Sequence, residues 1–223
     1  YINTSDGVQY KAHSLIMATG KSNFGKKLKE DLTPKNTKVI YSKEWREEKL
    51  PENKNILVIG SGLTASELAI ATSKNNTVTL ALKYPLKTIP MSLLGVNLHW
   101  PWRPFERLPR FFYPICKRKF KDPVVDTGIQ KLIKANKIEI ISYQDVHEKK
   151  YDLVIIAIGY GTGPLLENLE IERWPNGLIS TKESETSIKG LYLLGYPCSR
   201  NFDSKFLRGI AVDIVKLAKK LNS

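Results

Sequence analysis

The chain has 223 residues and a mass of 25.3 kDa, with 42% hydrophobic and 26% charged residues and a formal net charge of +13. This is enough chain to bury a substantial core in one or two domains, and the composition excludes a disordered or fibrous class. No run of about 18 apolar residues exists, so no spanning helix is expected, and the start Tyr1-Ile2-Asn3-Thr4-Ser5-Asp6 lacks the basic-then-apolar order of a secretion signal.

In chain order, residues 9–20 read as a strand running into the turn Ala18-Thr19-Gly20, followed by a looser, Lys-rich connection from Pro34 to Pro51. The apolar strand Asn55-Ile56-Leu57-Val58-Ile59 then passes without a spacer into Gly60-Ser61-Gly62-Leu63-Thr64-Ala65, a G-x-G-x-x-A turn that opens a helix over Thr64 to Ser73. Gly60 suits a tight turn, Gly62 leaves room for a diphosphate against the backbone, and Ala65 lets helix and strand pack closely. The phosphates are expected on the helix N-terminus, held by amides of Ser61, Leu63 and Thr64, with hydroxyls of Ser61 or Thr64 in support. For Thr64 an ordinary helix cap is the bland alternative. A second strand, Thr77-Val78-Thr79-Leu80-Ala81-Leu82, completes a strand–helix–strand unit. At its end, where an NAD site offers a carboxylate to the ribose, this chain has Lys83, which suits a 2′-phosphate and hence NADPH.

Residues 84–123 change character, being rich in proline and aromatics interleaved with Lys and Arg. A packed, irregular insertion with solvated cations is favoured there over a strand-stacking nucleic-acid surface or a membrane patch. Regular patterning resumes with a helix from Asp126 to Asn136, with Asp126 as its cap, then a strand Ile138 to Ile141. Next comes the wholly apolar strand Leu153 to Ile158, ending at Gly159. Apolar strands separated by helices indicate a parallel sheet covered on both faces. A loop-like stretch after Pro164 reaches the turn Trp174-Pro175-Asn176-Gly177. A strand Gly190 to Gly195 and a terminal helix Ile210 to Leu221 follow, with Ile210, Ile214, Leu217, Ala218 and Leu221 on one face. The small-residue strand ends Ala18-Thr19-Gly20 and Ala157-Ile158-Gly159 match each other, as expected where a parallel sheet meets a nucleotide.

Cys116 and Cys198 stand far apart without a C-x-x-C pair, which supports neither a redox-active disulfide nor a zinc site and favours a reducing compartment. His13, His99 and His147 are scattered, and no G-x-S-x-G or H-E-x-x-H is present, so no side-chain nucleophile or metal is expected.

Taken in order, Leu15-Ile16-Met17-Ala18-Thr19-Gly20, Ile59-Gly60-Ser61-Gly62, Pro123-Val124-Val125-Asp126-Thr127-Gly128, Asp152-Leu153-Val154-Ile155-Ile156-Ala157-Ile158-Gly159-Tyr160, Trp174-Pro175-Asn176-Gly177 and Gly190-Leu191-Tyr192-Leu193-Leu194-Gly195 resemble the flavin-containing monooxygenase family, most closely its YUCCA-like members. The resemblance implies an α/β fold in which a Rossmann-like three-layer NADPH-binding domain, residues 46–165, is inserted into part of a second, FAD-binding Rossmann-like domain formed by 1–45 with its linker and 166–223. It implies NADPH at Gly60, Ser61, Gly62, Leu63, Thr64, Ala65, Lys83, Ala157 and Gly159, and FAD at Ala18, Thr19, Gly20 and Gly195. The implied reaction passes a hydride from NADPH to FAD and then oxygenates a small organic substrate through a C4a-hydroperoxyflavin, in the cytoplasm, with no nucleic-acid partner. Three departures stand out: no G-x-G-x-x-G precedes Leu15, so an N-terminal FAD segment is missing; Tyr41 occupies the linker position of a family histidine; and Gly195-Tyr196 replaces a closing Gly-Asp. A flavin-dependent pyridine-nucleotide reductase of the disulfide-reductase superfamily and a non-catalytic nucleotide-binding module are the competing readings.

Overall fold

The computed structural model describes residues 1–20, 24–28, 34, 37–46, 51–93, 96–97 and 124–222. In chain order the first strands are β1 (Ile2–Asn3), β2 (Gln9–Tyr10), β3 (Leu15–Met17), β4 (Lys38–Tyr41) and β5 (Asn55–Ile59), followed by helix α1 (Leu63–Thr72) and β6 (Thr77–Leu82). Short strands β7 (Thr88–Pro90), β8 (Ser92–Leu93), β9 (Val96–Asn97) and β10 (Val124–Asp126) precede α2 (Ile129–Lys134), β11 (Ile138–Ser142) and β12 (Leu153–Ile156). The chain then forms α3 (Pro164–Glu167), β13 (Leu191–Leu193) and α4 (Leu207–Leu221).

Two compact units emerge. One takes the described residues between 24 and 161, the other residues 1–20 and 162–222. The first is built on a five-stranded, all-parallel sheet of order β11-β6-β5-β12-β4. The apolar runs explain the order: Ile56, Leu57, Val58 and Ile59 are wholly buried and Leu153 to Ile156 nearly so, which requires cover on both faces and a central place. Side-chain alternation divides them between two cores. Ile56, Val58, Val78, Leu80, Ile138, Leu153 and Ile155 pack under Ala65, Leu68 and Ala69 of α1 and Ile129 of α2. Leu57, Ile59, Ala81, Val154 and Ile156 pack against Leu28, Val146 and Tyr151 from irregular segments on the other face. Each such fully buried side chain contributes about 1.5–3 kcal/mol of transfer free energy.

The sequence reading needs several adjustments. The connection from Pro34 to Pro51 contains β4, because Val39 and Ile40 supply enough apolar surface to pair with Val154 and Ile155 at the sheet edge. The strand expected over residues 9–20 is two strands: β2 turns back on β1 as an exposed hairpin, and only β3 enters a parallel pair. The expected helix from Asp126 to Asn136 is shortened to α2, since Val124–Asp126 pairs with Thr88–Pro90 as a strand. Asp126 is therefore not the helix cap, which is Gly128, although its Oδ1 accepts from the N–H groups of Gly128 (2.9 Å) and Gln130 (3.4 Å) at the helix start. Most of the aromatic stretch 84–123 lies outside the described residues.

The second unit pairs β3 with β13 in parallel, Ile16 opposite Tyr192, and packs Met17, Leu191 and Leu193 with Leu166, Ile171 and Ile179. The terminal helix starts at Leu207, earlier than expected, and the stretch after Pro164 contains α3. Near its end α4 is tied down by Lys220, whose Nζ lies 2.6 Å from Glu185 Oε2, while Glu185 Oε1 accepts from Gly190 N–H. These bonds, the one from Lys220 first, hold the Glu185 carboxyl below its ordinary value of 4.5. A carboxylate with a depressed folded-state pKa stabilises the fold above 4.5 and loses that contribution as pH falls through the lower folded value. Glu185→Gln is therefore expected to lower stability at neutral pH and to make the acid-side decline shallower, as read by urea unfolding at a series of pH values.

Candidate functional site

The site grows from the end of β5. Gly60 follows Ile59 with φ +155°, donates its N–H to Ala81 O (3.0 Å), and lies against β12, whose Ala157 N–H bonds Ile59 O (2.8 Å). A Cβ at Gly60 would stand 2.3 Å from Ala157 O and 2.9 Å from Ala65 Cβ, so only glycine fits between strand and helix. Gly62 differs in kind. Its backbone is extended, it is the N-cap of α1 without a side-chain cap, and a Cβ there would meet nothing within 4 Å. The first-turn N–H groups of Leu63, Thr64 and Ala65 have no acceptor within the helix, and Gly62, Leu63 and Thr64 are exposed while Ala65 is buried.

Topology puts this turn at a crevice. From β5 the chain winds one way through β6 to β11, then returns to β12 on the opposite side of β5, so the carboxyl ends of β5 and β12 flank a topological switch point. That is where open parallel sheets take ligands. Lys83, exposed, follows the last residue of β6 on the same edge, with Nζ 5.8 Å from the Tyr84 ring centroid.

The other expected residues divide. Ser61 Oγ accepts from Tyr84 N–H at 3.3 Å, a role the sequence did not suggest. Thr64 is one residue inside the helix and is not its cap, which is Gly62. Ala157 is buried with its carbonyl against Gly60, and Gly159 (φ +89°) gives its carbonyl to Lys26 N–H (2.9 Å), so the β12 end is occupied by the segment Phe24–Lys26.

In the other unit, Thr19, Gly20 and Gly195 line one pocket together with Met17, Leu193 and Tyr196, and Ala18 does not reach it. Gly20 (φ +64°) and Gly195 (φ +71°) both take the left-handed backbone that glycine tolerates best. Tyr196 turns inward. It is buried, its hydroxyl accepts from Ile179 N–H (3.3 Å), and burial raises its phenol pKa, so it pins the fold beside Gly195. Cys198, also buried, is disulfide-bonded, a bond that the reducing compartment favoured by the sequence reading does not promote.

Sequence reasoning missed a charged knot in the same unit, built on two buried aspartates. Arg200 pairs with Asp213 and Arg208 Nε with Asp203 Oδ1 (2.8 Å), the two aspartates being almost fully buried. Asp213, the one acid in a helix whose other charged residues are Arg208, Lys216, Lys219 and Lys220, was the available signal. Among the described residues no group of three or more His, Cys, Asp or Glu could hold a metal, and no helix is long and apolar enough to cross a membrane.

Comparison with known proteins decides the family. The pyridine nucleotide-disulphide oxidoreductase family matches residues 2–203. The chain belongs to that family. An uncharacterized oxidoreductase CzcO-like protein of Geobacillus kaustophilus is 25% identical over 231 residues, covering 95% of this chain and 65% of the relative. A 34.2 kDa protein in the rubredoxin operon of Clostridium pasteurianum is 29% identical over 206 residues, covering 87% and 59%. The chain thus spans under two thirds of the length of these relatives. Among solved structures, a flavin-containing monooxygenase from Stenotrophomonas maltophilia superposes with TM-score 0.70 at 16% identity, over 99% of this chain and 65% of that one. Cyclohexanone monooxygenase from Rhodococcus sp. Phi1, bound to NADP+, gives TM-score 0.66 at 14% identity, over 99% and 62%. This member of the pyridine nucleotide-disulphide oxidoreductase family therefore shares its α/β fold with flavin monooxygenases.

Proposed function

We propose that the unit of residues 24–161 binds NADPH and that the whole protein is an FAD-dependent monooxygenase acting on a small organic substrate. The supporting observation is the turn at the switch point: Gly60 is filled by protein on all sides, whereas Gly62 beside it opens onto space and uncapped helix amides. A diphosphate fits such a cradle, with Gly60 and Ala65 setting its depth and Leu63 and Thr64 donating N–H groups. Lys83 supplies the cation for the 2′-phosphate. When bound, NADPH supplies a hydride and the flavin supplies the oxygen chemistry; the chain's own residues orient the two rather than attack the substrate.

FAD, in this reading, rests on Thr19, Gly20 and Gly195, and its diphosphate cradle comes from a strand–helix segment outside these 223 residues. Support comes from α4, which packs through Gly209, Asp213 and Leu217 and leaves Leu207 (87% exposed), Ile214 (48%) and Val215 (55%) uncovered. An apolar stripe of that extent on a helix calls for a packing partner.

Titration with NADPH and NADH tests the cofactor assignment. The parent chain is expected to prefer NADPH, and Lys83→Glu to weaken NADPH binding by about a hundredfold while changing NADH binding by less than about threefold, as loss of a charge-assisted phosphate contact requires. Equal affinity of the parent for the two nucleotides would overturn the role of Lys83.

A further inference from the structure

Large apolar side chains that stay in water are few in the unit of residues 24–161. Among its described residues they are Leu63, Tyr84, Met91 and Ile140, and the first two stand at the glycine turn. Leu63, 42% exposed, opens α1, and Tyr84, 46% exposed, donates its N–H to Ser61 Oγ (3.3 Å). One exposed apolar residue needs no explanation, whereas a pair beside a turn whose second glycine opens onto space is the surface that a flat ligand ring covers. Pro85 follows directly and restricts the Tyr84 backbone to the extended region, so little beyond two side-chain torsions remains to be ordered on binding. The residue before it is the cation assigned to the 2′-phosphate: Lys83 Nζ lies 5.8 Å from the Tyr84 ring centroid, at the outer limit of a cation–π contact.

We infer that the Tyr84 ring is the stacking platform for the adenine of the bound nucleotide. This rests on the NADPH reading above and deepens it. In NADPH the 2′-phosphate and the base sit on adjacent carbons of one ribose, C2′ and C1′, so the groups that receive them must stand side by side. Lys83 and Tyr84 do so, as consecutive residues with 5.8 Å between cation and ring. The Tyr84 amide is bonded to the glycine turn while its ring is exposed, which sets a base platform within one residue's reach of the diphosphate cradle. Stacking takes no account of the 2′-phosphate, so Tyr84 serves NADPH and NADH equally and Lys83 separates them.

Titration calorimetry of the purified chain with NADPH, NADH and adenosine 2′,5′-bisphosphate reads the assignment, using the parent, Tyr84→Ala, Tyr84→Phe and Lys83→Glu. Loss of one base–aromatic stack is expected to weaken all three ligands about tenfold in Tyr84→Ala, with the ratio of NADPH to NADH affinity within about twofold of the parent. Tyr84→Phe, which keeps the ring, is expected to bind each ligand within about twofold of the parent. Lys83→Glu changes the ratio instead. Both Tyr84 substitutions leave the N–H bond to Ser61 in place and replace an exposed side chain, so thermal unfolding is expected within about 2 °C of the parent. Parental affinity in Tyr84→Ala, a loss shared by Tyr84→Phe, or a loss for the two dinucleotides that spares adenosine 2′,5′-bisphosphate overturns the platform and leaves the NADPH reading standing. A parent chain that binds none of the three ligands removes both.

Discussion

Replacing Gly60 with alanine is expected to destabilise the unit of residues 24–161 by about 3 kcal/mol, through a left-handed backbone and an overpacked interior acting together. The added methyl group meets a carbonyl oxygen at 2.3 Å and the Ala65 Cβ at 2.9 Å, and neither belongs to a flexible side chain that could swing away. Relief requires β5 and β12 to separate or α1 to lift from the sheet, and both movements open the core holding Ile56, Val58 and Ile155. For a chain of this size the loss corresponds to a fall of about 10 °C in Tm. Gly62→Val is the paired experiment. Its extended backbone, φ −114° and ψ 178°, suits a β-branched residue and its surroundings are empty, so only the poorer helix cap counts and stability should fall by about 1 kcal/mol. NADPH binding should nevertheless fall by at least about tenfold, because the valine fills the space proposed for the diphosphate. Thermal unfolding and nucleotide titration on the same two variants separate the roles; a Gly62→Val chain that binds NADPH as tightly as the parent places the cofactor elsewhere.

Gly209→Ala gives the second large effect, with a sign opposite to helix propensity. In an unobstructed helix interior the exchange gains about 1 kcal/mol. Here the new Cβ would lie 2.0 Å from Asp203 O, 2.3 Å from its carbonyl carbon and 2.8 Å from Ser204 N, all backbone of the 3-10 turn Phe202–Lys205. The first turn of α4 and that 3-10 turn must part, and with them the pairs Arg200–Asp213 and Arg208–Asp203. Separating them leaves two almost fully buried aspartates uncompensated while the partly exposed arginines return to water, so a net loss of about 3 kcal/mol is expected. Ala218→Gly on the exposed side of the same helix serves as the control, costing about 1 kcal/mol. Urea unfolding followed by far-ultraviolet circular dichroism measures both, and a Gly209→Ala chain as stable as the parent would show that the helix start does not need this contact.

What the sequence made legible follows from how local each signal is. The strand Asn55–Ile59, the glycine turn, the helix and the strand Thr77–Leu82 were readable because four neighbouring signals agree: an apolar run, fixed glycine spacing, helical periodicity and a β-branched run. Strand β4 was hidden because its two apolar residues sit among lysines and acquire meaning only beside Val154 and Ile155, distant in sequence. Likewise the bond Ser61 Oγ accepts was hidden, since its amide partner at Tyr84 becomes a neighbour only when β6 lies next to β5. The Gly209 contact and the Asp203–Arg208 pair depend on how a 3-10 turn abuts a helix start, which no spacing rule encodes. Tyr196 could be seen to replace an acidic residue, yet its inward hydroxyl bond to Ile179 required coordinates.

The strand that ends in the glycine turn is paired on both edges, with β6 on one side and β12 on the other, and its four apolar residues are fully enclosed. Such a strand is among the last segments to exchange its amide protons with solvent, because releasing them requires the whole sheet to come apart. The cradle is therefore mounted on the slowest-breathing part of the unit, while Lys83 stands one step away on its more accessible rim.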